Sequence, residues 1–172
     1  MKKDKKIVPK HIDKDFYTSG EIYSWNGNNY YIVESKNKRG VGVVDEQGKV
    51  IIELKYDWLC YFIYRNELYF VAVDIETYLY GVININGDTV IPFIYNDFAS
   101  WELDLKDEDI LFFEKDGKWG AIDINGTTVV DFKYKYFGGI REQYYLVQNF
   151  DNTWSYIDKK GNPIKSNNIS VV

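Results

Sequence analysis

The heptapeptide Gly120-Ala-Ile-Asp-Ile-Asn-Gly126 recurs as Gly81-Val-Ile-Asn-Ile-Asn-Gly87 and as Gly42-Val-Val-Asp-Glu-Gln-Gly48. A looser copy reads Ser155-Tyr-Ile-Asp-Lys-Lys-Gly161. The step from Gly42 to Gly81 is 39 residues, and the step from Gly81 to Gly120 is again 39. Tyr56, Tyr95 and Tyr134 keep the same register. A fixed period of this length means that one supersecondary unit is stacked on copies of itself, a stronger constraint on the fold than any local propensity.

Each copy reads as three strands. The first covers residues 30–34, 68–73, 110–114 or 144–148, and the second 42–45, 81–85, 120–124 or 155–158. The third covers 50–56, 90–95 or 129–134. Between second and third strands lies a tight turn, Asn86-Gly87 and Asn125-Gly126 in two copies and Gln47-Gly48 and Lys160-Gly161 in the others. A two-residue loop there would fix an antiparallel register. Asn26-Gly27, flanked by aromatic and β-branched runs, is a further hairpin signal. In the third strand Ile52, Leu54 and Tyr56 align with Ile91, Phe93 and Tyr95 and with Val130, Phe132 and Tyr134. The opposite phase admits Glu53, Lys55, Pro92, Asp131 and Lys133. That alternation describes a sheet with one core face and one mixed face. Pro92 cannot donate a ladder hydrogen bond, which places its strand at an edge or a bulge.

The third strand runs on into aromatic connections, residues 58–64, 98–101 and 136–137, which read either as a fourth short strand or as a loop over the sheet edge. The spacing of Phe98, Trp101 and Leu105 is the one weak helical signal. Residues 6–12 resemble a third strand, and residues 144–165 lack most of one. Residues 6–12 are therefore expected as a strand capping the first repeat beside residues 30–34, with pairing onto the 156–164 hairpin as the rival. The expected fold is all-β, a single domain of about a dozen strands in tandem antiparallel hairpin or meander repeats. A partial repeat spans 6–25, followed by repeats at 30–67, 68–106, 109–143 and 144–165. An open array is favoured; a closed propeller-like or barrel-like arrangement also fits the period.

The copies carry a further signature. Lys118-Trp119-Gly120, followed by a short Asp-bearing strand, a turn glycine, a Val-Ile-Pro strand such as Val90-Ile91-Pro92 and a Tyr-Asp such as Tyr56-Asp57, resembles the bacterial WG-repeat, or KWG-repeat, family. The resemblance covers roughly residues 30–165. Val41 and Tyr80 stand where that family has tryptophan, and Thr153-Trp154-Ser155 keeps the tryptophan and loses the glycine. It implies an interaction scaffold and names no reaction.

Composition narrows the function classes. With 45% hydrophobic residues the chain can bury a core, and 18% aromatic, led by sixteen tyrosines, suits pleated sheet surfaces. A net charge of −5 argues against nucleic acid, which needs a basic face. No apolar run is long enough to span a membrane as a helix, and the charged start, Met1-Lys-Lys-Asp-Lys-Lys6, does not read as a signal peptide, so a cytoplasmic location is expected. His11 is the only histidine and Cys60 the only cysteine, which leaves no zinc set of the usual kind and makes Cys60 a buried, inert thiol. No nucleophile elbow, phosphate loop or dinucleotide fingerprint is present, so no enzyme, cofactor or metal is expected.

Three candidates for recognition remain. Asp45, Asn84, Asp123 and Asp158 recur at one repeat position, as a ring of ligands or, better, as turn caps bonding nearby amides. Residues 101–109 form the most acidic stretch, and Trp101, Glu102, Asp104, Asp107, Glu108 and Asp109 are the candidate partner-binding residues, suited to a basic protein. The tryptophans and tyrosines are the third, of which Trp119 and Trp154 are expected to pack within the repeats. The expected function is a non-catalytic cytoplasmic protein-binding module, in its sharper form an immunity or antitoxin protein that neutralises a toxin. The alternative is glycan or cell-wall binding, because residues 153–161 are similar to the aromatic-glycine repeats of choline- and glucan-binding surface proteins.

Overall fold

The computed structural model describes residues 10–18, 23–99, 110–141 and 144–164. The chain divides into two compact units, Met1–Phe93 and Ile94–Val172. In the first, a short helix α1 (Lys10–Asp15) precedes β1 (Phe16–Thr18), β2 (Tyr23–Trp25), β3 (Asn28–Ser35), β4 (Val41–Asp45), β5 (Val50–Tyr64), β6 (Glu67–Asp74), β7 (Tyr80–Asn84) and β8 (Thr89–Tyr95), whose last two residues, Ile94 and Tyr95, belong to the second unit. They make one sheet in the order β1-β3-β4-β5-β6-β7-β8, with β2 also on β3. The second unit holds β9 (Asp97–Phe98), β10 (Ile110–Lys115), β11 (Lys118–Asp123), β12 (Thr128–Tyr134), β13 (Tyr136–Arg141), β14 (Tyr144–Gln148), β15 (Trp154–Ile157) and β16 (Pro163–Ile164). These form two sheets, β12-β11-β10-β9 and β13-β14-β15-β16. Every sheet has two ends; none closes into a barrel. The tandem antiparallel repeat read from the 39-residue period is the architecture observed, and Pro92 sits on β8, the last strand of its sheet, as its missing N–H demands.

The second strand of each repeat is where the packing is tightest. Val41 faces Tyr56 and Val43 faces Ile52, so β4 advances two residues while β5 advances four. Trp119 faces Tyr134 and Ala121 faces Val130, the same bulge in β12. The extra residues drive the third strand over the intervening glycine. A Cβ on Gly42 would stand 2.5 Å from the Ile52 carbonyl oxygen. On Gly81 it would meet the Ile91 oxygen at 2.8 Å and the Phe93 ring at 2.9 Å, and on Gly120 the Val130 oxygen at 2.8 Å and the Phe132 ring at 2.7 Å. These contacts, not an unusual φ, require glycine. Phe93 and Phe132 are half-buried rather than core residues, because their rings lie over the glycines of the neighbouring strand.

The third strands alternate as expected, with Ile52, Leu54, Tyr56, Ile91, Tyr95, Val130 and Tyr134 buried and Glu53, Lys55, Pro92, Asp131 and Lys133 exposed. The middle strands do not. Val43 and Val44, Val82 and Ile83, and Ala121 and Ile122 are buried in succession, so these strands are covered on both faces. In the first repeat Tyr30, Val43 and Ile52 pack with Leu59, Phe70 and Ile83, while Tyr31, Val33, Val44 and Leu54 pack around Ile12 of α1. This corrects the expectation for the start of the chain: Lys10–Ile12 are helical, and Ile12, fully buried, seals the second face of the sheet instead of adding a strand. The strand beside β3 is Phe16–Thr18, with Thr18 opposite Val33. Residues 6–9 lie outside the described residues.

Two further readings change. Residues 58–64 are neither loop nor separate strand; β5 continues unbroken for 15 residues, its first part on β4 and its second on β6. The turns after the second strands are not two-residue loops of the kind seen at Asn26-Gly27, where both φ angles are positive at 48° and 76°. Gly48 N donates to Asp45 O at 3.0 Å, Asp45 N donates to Lys49 O at 3.0 Å, and only the glycine has positive φ, at 80°. This is a tight turn followed by a glycine bulge, repeated at Gly87, Gly126 and Gly161. The helical spacing from Phe98 falls almost wholly outside the described residues; Phe98 itself is in β9.

Phe113 is fully buried, with Tyr95 stacked on it at 4.5 Å and Phe98 at 4.9 Å between ring centroids. Phe113→Ala is expected to cost about 3–5 kcal/mol. Lys133→Ala, on the exposed phase of β12, is expected to cost less than about 0.5 kcal/mol. Urea denaturation of both variants checks this; similar losses at the two positions would put the core on the wrong face.

Candidate functional site

The recurring Asp or Asn position is a turn cap. Asp45 Oδ1 accepts from the backbone amides of Gln47 at 3.0 Å and Lys49 at 2.9 Å. Asn84 Oδ1 accepts from Asn86 at 2.9 Å and Asp88 at 3.0 Å, and Asp123 Oδ1 from Asn125 at 2.9 Å and Thr127 at 2.8 Å. Asp158 Oδ1 accepts from Lys160 and Asn162, both at 2.8 Å. One side-chain oxygen does the same work in all four, which is why Asn substitutes for Asp without changing the repeat. Among the described residues no group of three or more His, Cys, Asp or Glu side chains is placed to hold a metal.

The aromatics divide. Trp119 is buried and packs on Phe137 and Tyr136. Trp25 is half-buried and its indole N–H donates to the Asn66 carbonyl at 2.9 Å, tying the Asn26-Gly27 turn to the Arg65-Asn66 turn. Trp154 packs edge-on to Tyr136 and covers Gly138, as expected of a residue within the repeat, but remains half exposed. Trp58, Tyr61 and Ile63, all on the second half of β5, are exposed at 36%, 37% and 42%, and Tyr17 of β1 at 60%.

The exposed part of β5 borders an open cleft of about 550 Å³ in the first unit. The strand register builds its floor: Tyr17 lies opposite Glu34 and Glu34 opposite Val41, one cross-strand row over β1, β3 and β4. Ile32 and Val33 extend the floor along β3, and Trp58, Leu59, Cys60 and Tyr61 form the wall. The walls are mainly apolar and aromatic, and among the described residues Glu34 is the one carboxylate that lines them. Cys60 is half-buried at this wall, not in the core as expected. Its thiol approaches the Tyr61 carbonyl at 3.9 Å. The cleft was not among the sequence-derived candidates. Its residues are spread from position 17 to position 61 and meet only through the register of four strands. The acidic candidates Trp101, Glu102, Asp104, Asp107, Glu108 and Asp109 lie outside the described residues.

The capping geometry predicts a pH dependence. At Asp158 the Asn162 side-chain amide, then the backbone amides of Asn162 and Lys160, hold the carboxyl below the usual carboxylate range. A depressed folded value means that this group's contribution to stability is present above its unfolded value of about 3.9 and is lost as pH falls through the lower folded value. Asp158→Asn keeps the acceptor oxygen and is expected to change stability little at pH 7 while removing that acid dependence. Asp158→Ala is expected to cost about 1 kcal/mol. Denaturation midpoints of the three proteins between pH 2 and 7 provide the check.

A family described as WG containing repeat matches residues 42–74, 80–119 and 119–154. No curated protein matches the chain. The three matches run consecutively over more than half of the sequence and each contains one of the glycines that the third strand crosses, Gly42, Gly81 or Gly120, so the chain belongs to the WG containing repeat family.

Proposed function

We propose that this chain is a non-catalytic, cytoplasmic protein-binding module built on WG repeats. The observation that carries the reading is the set of exposed large side chains that line one cleft, Tyr17, Trp58 and Tyr61. Tyrosine and tryptophan supply much of the binding energy in protein interfaces, and a concave apolar site accepts an anchor side chain from a partner. The acidic stretch carrying Glu102, Asp104, Asp107, Glu108 and Asp109 adds a charge suited to a basic partner, whose approach it would steer. An immunity or antitoxin role, in which the chain masks a toxin, is the sharper form of the proposal. It rests on the acidity of the chain.

Glycan binding is the second reading. It is favoured by the exposed Trp154, edge-on to the exposed Tyr136 in the second unit, because such rings stack on sugar faces.

Affinity capture from the source cell with the purified chain is expected to recover one protein at stoichiometric amounts. Trp58→Ala combined with Tyr61→Ala is expected to lose that partner while the circular dichroism spectrum stays that of the parent. Reversal of Glu102, Asp104, Asp107, Glu108 and Asp109 to Lys is expected to slow association at least ~10-fold at low salt, with little change in melting temperature. Capture that depends on Trp154 and is competed by cell-wall polysaccharide would select the glycan reading.

A further inference from the structure

The cleft's floor row sets a carboxylate among aromatic and apolar neighbours. Glu34 projects from the middle of the row with the Tyr17 ring on one side and Val41 on the other. Trp58 and Tyr61 of β5 also line the cleft. Among the described residues no lysine, arginine or histidine lines the cleft, and no hydrogen bond or ion pair holds the Glu34 carboxylate. An anion would meet that carboxylate unshielded. A sugar needs several convergent donors and acceptors, whereas this lining is mainly carbon. A compact cation with an apolar shell satisfies both parts: the carboxylate supplies the counter-charge and the ring faces supply quadrupole attraction. The surroundings already contain one such contact. Lys36, which does not line the cleft, holds its ammonium 5.2 Å from the Tyr17 ring centroid and donates to the Lys14 carbonyl.

We infer that this cleft is a receptor for an alkylammonium group, with Glu34 as counter-ion and Tyr17, Trp58 and Tyr61 as its aromatic walls. The inference rests on the cleft being a binding site, as in the functional reading, and narrows what enters it. The group can come from a free quaternary ammonium ion or from a lysine side chain, methylated or not, on a partner.

Amide and indole N–H shifts of the isotopically labelled full chain report binding without any partner protein. Tetramethylammonium and its neutral near-isostere tert-butanol form the first pair of probes. N-acetyl-trimethyllysine methylamide, N-acetyl-lysine methylamide and N-acetyl-norleucine methylamide form the second set. The cations are expected to give saturable shifts at the Trp58 indole and the Glu34 amide, at least ~10-fold tighter than the neutral probes. Saturation by tetramethylammonium as tight as by the lysine derivatives identifies a free-ion site; tighter binding of a lysine derivative identifies a side-chain site. Glu34→Gln is expected to remove the preference for charge while leaving the spectrum dispersed, since Glu34 is exposed. Equal binding of cation and neutral isostere, no saturation by any cation, or a preference unchanged in Glu34→Gln would each overturn the inference. None of these outcomes bears on whether a protein partner is captured.

Discussion

In each repeat matched by the family the third strand passes within van der Waals contact of the second strand's backbone, at Gly42, Gly81 and Gly120. No side chain fits there: the nearest carbonyl oxygen would lie 2.5 Å from a Cβ at Gly42 and 2.8 Å at the other two positions. Much else follows from this crossing. It lets the rings of Phe93 and Phe132 lie over glycine, the way an aromatic side chain compensates for a missing one in a sheet. It leaves room for the residue before the glycine, Tyr80 or Trp119, to pack on the aromatic that follows a third strand, Trp58 or Tyr136. The Asp or Asn cap three residues after the glycine closes the turn that returns the chain for the crossing. The signature of the repeat is therefore a description of one close contact and the groups that permit it.

The sequence made the strands legible because period-two alternation in the third strands survives in the structure, with Glu53, Lys55, Asp131 and Lys133 outside. The turn caps were legible for a chemical reason: Asn84 replaces Asp, and only an acceptor oxygen is common to both. The two-sided burial of β4, β7 and β11 was less so. Those strands are five or six residues long and their Val-Val, Val-Ile and Ala-Ile pairs read equally as one strand face plus an end. The helix at Lys10–Asp15 was hidden by its likeness to a Val-Ile-Pro strand. Its conformation is decided by tertiary packing, since Ile12 covers Tyr31, Val33, Val44 and Leu54 from residues far along the chain.

The candidate site was the least legible part. Charge draws attention to residues 101–109, whereas the cleft is assembled from a tyrosine, a glutamate and part of a strand that look unremarkable apart. The signal that could have found it was the continuation of β5. Once residues 58–64 are a strand paired to β6, period two puts Trp58 and Cys60 on one face and Leu59 and Tyr61 on the other. With Leu59 in the core, Trp58 is left on the other face, exposed at the sheet surface. The aromatic run reads as a connection in the sequence because the strand it pairs with, read there as residues 68–73, opens the next repeat.

The account's central claim is that sterics at the crossing, and not backbone conformation, demand the repeat glycine. Gly120 and Gly87 separate the two causes. Gly120 has no positive φ and no room for a methyl group; Gly87 has φ of 83° and nothing within 4 Å of a built Cβ. Equilibrium unfolding of Gly120→Ala and Gly87→Ala, each against the parent chain, measures the difference directly. A loss at Gly87 of about 1 kcal/mol from the left-handed strain, and a loss at Gly120 of about 3 kcal/mol or failure to fold from overpacking, is the predicted result. A Gly120→Ala protein as stable as the parent, or less affected than Gly87→Ala, would contradict it.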